Sequence, residues 1–356
     1  GAGVIVALTA IAIVLNAPEK LATAVPGYTQ AFQDRVETSS TGQRELARLG
    51  GADDTAEAVE ADRGGAPEIQ GIEKWTNTPG EAPLTLGALR GRVVLVDFWT
   101  YSCINCLRTL PHLKSWDDAY RDAGLTIVGV HSPEFAFERV PDNVSEAVDR
   151  LGIRYPVALD NDFATWRAYS NQYWPAKYLI DRDGNVRYHH FGEGEYEETE
   201  RVIRELLGAS VSTRPTSVDE EQIAQIRTPE SYLGYERLAR FANGSVAPDV
   251  EWTYTLPAGG LPTDVLGYAG RWKVESERIV AGEDARLRLQ FQAKDVFLVL
   301  EGEGDVDVLV DAKLVRTVRV SGLPRLYTIV RFSQFRQGML ELHFSPGLAG
   351  YAFTFG

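Results

Sequence analysis

The sequence predicts an α/β domain, a mixed central sheet with helices on both faces, followed by an all-β sandwich or jelly roll. Three observations predict it. Strand-like and helix-like segments alternate from Ile72 to about Gly208, the pattern changes to a strict period of two in the last third, and the two cysteines of the chain stand three apart directly after an apolar run, in "VVLVDFWTYSCINC" at 93–106. Alternation implies a sheet covered on both sides, whereas repeated short period-two runs imply an antiparallel sandwich.

The opening "GAGVIVALTAIAIVLNAP" has an apolar run from Val4 to Leu15. It is shorter than the roughly 20 residues of a spanning helix, and is read as the end of a transmembrane helix occupying 1–15; a buried helix is the alternative. Residues 16–67 are expected to be linker, polar, acidic and Gly/Ala-rich in "SSTGQRELARLGGADDTAEAVEADRGGAP". The α/β domain is placed at 68–210. In it "RVVLVDFW" is a β-branched strand, "CLRTLPHLKSWDDAYRDAG" has helical period and "LTIVGVH" is a second strand. "NVSEAVDRLG" is a helix stopped by Gly152, "YPVALD" a strand and "DFATWRAYSNQ" a short helix. "AKYLIDRDGNVRYHHF" is a hairpin turning at Asp183-Gly184, and "EYEETERVIRELLG" a helix ended by Gly208. A helical connection is expected over 211–245. The all-β domain, 246–356, contains "ARLRLQFQ", "DVFLVLEG", "DVDVLVDA", "KLVRTVRV", "RLYTIVRF", "MLELHF" and "YAFTF" as short strands.

The 36 Lys and Arg against 50 Asp and Glu leave a formal charge of −14, which repels phosphate backbones, and no basic patch opposes it; nucleic acid is excluded as a partner. Two cysteines in 356 residues cannot build a disulfide framework. The pair is therefore catalytic, metal-binding or a local staple.

A CxxC at the start of a helix that follows a strand favours catalysis. Cys103 falls where unpaired backbone N–H groups and the positive helix end stabilise a thiolate, and Cys106, one turn on, can attack a mixed disulfide there. Moving a thiol from about 8.5 to about 7 needs only ~2 kcal/mol. The chemistry enabled is thiol–disulfide exchange. Half of a zinc site, an inert disulfide and a peroxidatic thiol compete with it, but the histidines 112, 131, 189, 190 and 343 show no second ligand motif.

"VDFWTYSCINC" resembles the thioredoxin active-site segment. The resemblance implies a thioredoxin-like fold with Cys103 and Cys106 as the redox pair, Asp97 as the buried carboxylate that assists the second thiol, and Pro111 as the helix kink. It further implies that Pro175 in "YWPAKYLI" is the cis-proline facing the disulfide and that Trp174 presents its main chain to a client. The helix and strand inserted between "LTIVGVH" and "AKYLI" resemble those of TlpA and ResA reductases, which implies that Glu134 in "VHSPE" lies near the disulfide. "WTYSCINC", "HSPEFAFE" and "FSPGLAGYAFTFG" resemble DipZ-type proteins, which join a CcdA-like membrane electron carrier to an exported thioredoxin-like domain and a carbohydrate-binding-module-like sandwich.

The expectation is thus a membrane-anchored thiol–disulfide oxidoreductase on the extracytoplasmic face. It would act on protein thiols and disulfides, take electrons from a CcdA-like membrane domain and need no cofactor beyond the Cys103–Cys106 disulfide. Ile104-Asn105 between the sulfurs lacks the cationic His of strong oxidants, which points to a reductase, with a disulfide oxidase as the alternative. Which of Asp97 and Glu134 takes the Cys106 proton stays open. Trp99 and Tyr101 are candidates for a docking surface, with packing as the alternative. Cell-wall carbohydrate is a candidate ligand of the sandwich, whose aromatics Trp252, Tyr254, Tyr268, Trp272, Tyr327 and Tyr351 are as readily explained by burial, and an adhesion module is the rival function.

Overall fold

Six strands form the first sheet: β1 (Lys74–Thr76), β2 (Val93–Trp99), β3 (Leu125–His131), β4 (Val157–Leu159), β5 (Ala176–Ile180) and β6 (Val186–Phe191), in the order β1-β4-β3-β2-β5-β6. The computed structural model describes residues 65–208, 215–218 and 228–356, so the apolar opening and the linker up to residue 64 lie outside it. Strands β2, β3 and β4 run parallel, while β5, β6 and β1 pair antiparallel, so the sheet is mixed as expected. All seven residues of β2 are buried, because a central strand covered on both faces needs a continuous apolar run.

Side chains of β2 alternate between two layers. Val93, Leu95 and Trp99 join Leu110, Leu113 and Trp116 of helix α1 (Ile104–Tyr120), Val144 and Val148 of α2 (Pro141–Arg150) and Ile203 of α4 (Tyr196–Leu207). Val94, Val96 and Phe98 face Ile69, Leu86 and Tyr169, and Phe98 meets Trp166 of the short α3 (Ala164–Ala168) edge to face at 5.7 Å. Each such aliphatic or aromatic side chain contributes about 1.5–3 kcal/mol when fully buried. Pro111 lies inside α1, and Gly152 and Gly208 follow α2 and α4 with positive φ. This is the thioredoxin-like arrangement. No helix among the described residues is long and apolar enough to cross a membrane.

The second sheet has nine antiparallel strands: β7 (Ser231–Tyr232), β8 (Glu251–Tyr254), β9 (Leu266–Val274), β10 (Ile279–Ala281), β11 (Arg286–Glu301), β12 (Gly304–Val310), β13 (Lys313–Val320), β14 (Arg325–Phe344) and β15 (Ala349–Phe355). Two pairs of runs read as separate strands are single long ones. "ARLRLQFQ" and "DVFLVLEG" form β11, and "RLYTIVRF" and "MLELHF" form β14, because the residues between the runs stay in the β11–β14 ladder, Gly338 opposite Phe291 and Arg336 opposite Ala293. Register shifts between Ala293 and Asp295 and between Val296 and Phe297 let β11 change partner, from β9 in its first half to β15 in its second. Bulges of this kind bend strands around a corner, and the strands of this one sheet share a core containing Trp272, Phe291, Val308, Leu342 and Phe353.

The helical connection expected over 211–245 is not found among the described residues from 228 onward. Tyr232 pairs with Ala352 in β15, and Leu233, Leu238 and Phe241 pack on the second core, so this segment belongs to the all-β domain. Its apolar residues are spaced to cover an existing sheet.

Candidate active site

Strand β2 ends at Trp99, and Thr100–Ser102 turn the chain into α1. Cys103 is the N-cap of that helix, with extended φ and ψ of −77° and 122°, and its Sγ accepts the Cys106 backbone N–H at 3.4 Å. An N-cap acceptor satisfies an otherwise unpaired donor of the first turn, and here the acceptor is sulfur. Cys103 is partly exposed and Cys106 is buried beneath it; both are free thiols. Burial pushes the Cys106 thiol well up, and the hydrogen bond with Cys103 and the charges of Cys103 and Asp97 add to this, against a backbone hydrogen bond from Thr100. An accessible sulfur thus stands over one that needs a base to ionise.

Asp97 supplies a candidate base. It lies on the α1 side of β2, its Oδ1 is buried without a hydrogen-bond partner, and burial raises its pKa to about 7 against the lowering effect of Lys177. Lys177 sits directly across from Asp97 in the β2–β5 register and is also buried. Its Nζ donates to the Gly192 carbonyl at 3.0 Å and lies over the Tyr196 ring, and burial lowers its pKa to about 8 against the charges of Asp97 and Cys106. Sequence reading missed Lys177.

The Trp174–Pro175 peptide is cis. Ala176, the next residue, pairs with Phe98, so Pro175 stands at the edge of the sheet from which the Thr100–Cys103 turn departs. Trp174 packs on the same apolar cluster as Cys103, and its ring is anchored by Nε1 donating to the Ser132 carbonyl at 3.0 Å.

Three other residues are not where the expectation put them. Trp99 and Tyr101 are wholly buried and offer no docking surface. Trp99 meets His131 edge to face at 5.2 Å and Tyr101 stacks on that ring at 5.6 Å. Gly129 in β3 makes the room, since a Cβ there would lie 2.9 Å from Trp99 Nε1. Burial lowers the His131 pKa to about 3, so the ring is neutral. Glu134 does not turn to the sulfurs. Its Oε1 accepts from the Tyr232 hydroxyl at 2.7 Å and from Arg237 Nη1 at 3.0 Å, both in the second domain, because a nearly buried carboxylate takes the cation within reach.

The acid that reaches the redox turn is Glu138, which sequence reading passed over. It is fully buried, and its Oε1 accepts from Ser102 Oγ at 2.7 Å and Ser102 N at 3.2 Å. Burial, then the charge of Glu134, raise it to about 7. Among the described residues no cluster of His, Cys, Asp and Glu suited to a metal ion occurs. Of the six aromatics singled out in the second domain, Tyr254, Tyr268, Trp272, Tyr327 and Tyr351 are core residues, and Trp252 alone is exposed, at 58%.

Comparison with known proteins agrees with this division. Residues 64–207 match the Redoxin family and residues 228–356 match the family described as Thioredoxin like C-terminal domain. Protein DipZ of Mycobacterium bovis is 38% identical across 99% of this chain and 53% of its own length, so the chain spans about half of that relative. Thiol-disulfide oxidoreductase YkuV of Bacillus subtilis is 28% identical across 40% of this chain and 93% of its own length. A solved thioredoxin-like protein in the oxidised form is 29% identical over 42% of this chain and 97% of its own, with a TM-score of 0.38. The chain is therefore a homologue of DipZ in which a thioredoxin-like redoxin domain precedes an all-β C-terminal domain, and its relatives through the first domain include proteins named thiol-disulfide oxidoreductases.

Proposed function

We propose that the chain is an extracytoplasmic thiol–disulfide oxidoreductase that reduces protein disulfides. The observation that carries this reading is a partly exposed Cys103 capping α1 above the buried Cys106, with the carboxylate of Asp97 buried on the same side of β2. The Cys103 thiolate attacks one sulfur of a client disulfide; the client S–S bond breaks, its other sulfur leaves as a thiolate, and a mixed disulfide joins Cys103 to the client. Asp97 takes the Cys106 proton, and the Cys106 thiolate attacks Cys103 Sγ, releasing the client's second thiolate and leaving the Cys103–Cys106 disulfide. The client is reduced by two electrons and the enzyme is oxidised by two. The main chain at Trp174–Pro175 holds the client segment beside Cys103. Two electrons from a CcdA-like membrane domain would restore the dithiol, with the chain anchored upstream of the redoxin domain.

The direction is supported by Ile104-Asn105, which places no cation between the sulfurs. A potential of about −270 mV would mark a reductant and one of about −120 mV an oxidant. Cys103→Ser is expected to abolish reduction of insulin by the chemically reduced chain; reduction that survives it would defeat the reading. For the second domain the proposal is carbohydrate binding through Trp252, whose exposed ring is available to stack on a sugar face. Retention of cell-wall glycan that is unchanged in Trp252→Ala would remove that part, and glycan binding without reductase activity would favour an adhesion module.

A further inference from the structure

We infer that Glu138 is a positioning residue for Cys103: its buried carboxylate fastens the residue before the nucleophile to a segment that the second domain holds in place. The inference rests on the reading of Cys103 as the attacking sulfur.

The carboxylate is shared between two parts of the chain. Oε2 accepts the backbone N–H of Glu134 at 2.7 Å and of Phe135 at 3.1 Å, which is what the acid of a capping box does for the short turn at Ala136–Arg139. That local role leaves Oε1 unexplained. Oε1 reaches across 36 residues to Ser102 and takes both its N–H and its hydroxyl. Four donors on one carboxylate, two per oxygen, fix its orientation, and burial excludes the water that would otherwise compete for them.

Ser102 is the last residue before the N-cap. The Cys103 Sγ meets the Cys106 N–H only while the backbone at Cys103 stays extended and the turn from Thr100 keeps its course. The other end of the tie is immobilised from outside the redoxin domain. Phe135 and Phe137 meet the Tyr351 ring at 5.4 and 4.7 Å, the Ala136 N–H donates to Glu277 Oε2 at 2.9 Å, and Glu134 is engaged by Tyr232 and Arg237. The titratable groups that interact with Glu138 are Glu134 in the same segment and Tyr101 in the redox turn; Tyr101 in turn feels Arg150 at the end of α2 and Tyr351 in β15.

The test is the pH profile of Cys103 alkylation by iodoacetamide in the reduced full chain, read peptide by peptide by mass spectrometry, for wild type, Glu138→Gln and Ser102→Ala. A glutamine carries one acceptor oxygen and cannot serve both pairs of donors, so the redox turn should loosen. The expected result is a profile moved to higher pH in Glu138→Gln, with a rate at neutral pH lowered roughly tenfold, the effect of one unit in thiol pKa. Ser102→Ala should move it the same way by less, and it decides the matter if Glu138→Gln does not fold. An unchanged profile would overturn the inference. So would a move to lower pH, which the loss of a nearby negative charge would give without any change of position. A wild-type Cys103 unreactive at neutral pH would instead overturn the assignment of the nucleophile.

Discussion

Replacing Asp97 with Asn should stabilise the folded protein, and by an amount that grows with pH. Burial raises Asp97 from the ordinary 3.8 to about 7. The folded chain therefore keeps a proton that the unfolded chain has already released, and between these values wild-type stability falls by about 1.4 kcal/mol per pH unit. From pH 5 to pH 8 the loss amounts to about 2.5 kcal/mol, since little of it remains above pH 7. Asparagine has no charge to bury and escapes it. Lys177 acts in the same direction. Its pKa is lowered to about 8 by burial and held up by Asp97, so without that carboxylate it falls further, and a depressed lysine gains stability as pH rises. Urea denaturation of the reduced wild type and the Asn variant at pH 5 and pH 8, followed by tryptophan fluorescence, measures both gaps. Groups that do not feel Asp97 cancel, and Lys177 adds to the gap. The gap at pH 8 should exceed that at pH 5 by at least about 2.5 kcal/mol; equal gaps would refute the argument that this carboxylate is buried with its proton.

Two further outcomes concern the contact between the domains. The Tyr232 hydroxyl lies 2.7 Å from both Glu134 Oε1 and Glu230 Oε2. One phenolic proton cannot serve two carboxylates, and burial together with Glu134 raises Glu230 to about 8. A raised carboxyl loses its proton as pH climbs through that value, leaving two like charges together, so limited proteolysis at this contact should quicken above pH 8 in wild type and stay level in Glu230→Gln. Arg237→Ala strips Glu134 of its cation in a nearly buried pair; a cost of about 3–5 kcal/mol is expected, seen as a lower urea midpoint, and a midpoint within error of wild type would show the pair to be dispensable.

Most of the redox centre was legible because each of its parts breaks a local pattern. A charge inside "VVLVDFW", a close cysteine pair at a strand–helix junction and a proline before a strand are all departures that a buried sheet does not tolerate without a use. Lys177 carries the same signal, a lone charge inside the apolar "AKYLI", and was missed because pairing it with Asp97 requires knowing that β2 and β5 are neighbours. Glu134 and Glu138 stand four apart in one segment; Glu138 has the local role of capping the turn after Phe135, but its reach to Ser102 and the pairing of Glu134 with Arg237 are contacts distant in sequence. Trp99 and Tyr101 take the packing alternative instead of docking, since aromatics flanking a redox motif pack as readily as they dock, and the room left by Gly129 shows only in three dimensions. In the second domain the period of two was plain, but the bulges that carry β11 and β14 around their corners leave no mark comparable to a turn, so long strands read as short ones. The segment after residue 228 looked helical by charge, and its apolar residues found their spacing against a sheet instead.

The measurement that bears most directly on the central claim is trapping of the exchange intermediate. Cys106→Ser should accumulate a mixed disulfide between Cys103 and a peptide disulfide, identified by mass spectrometry and released by reductant, while Cys103→Ser should form none because the remaining thiol is buried. No adduct in Cys106→Ser, or an adduct on Cys106 in Cys103→Ser, would contradict the assignment of Cys103 as the attacking sulfur.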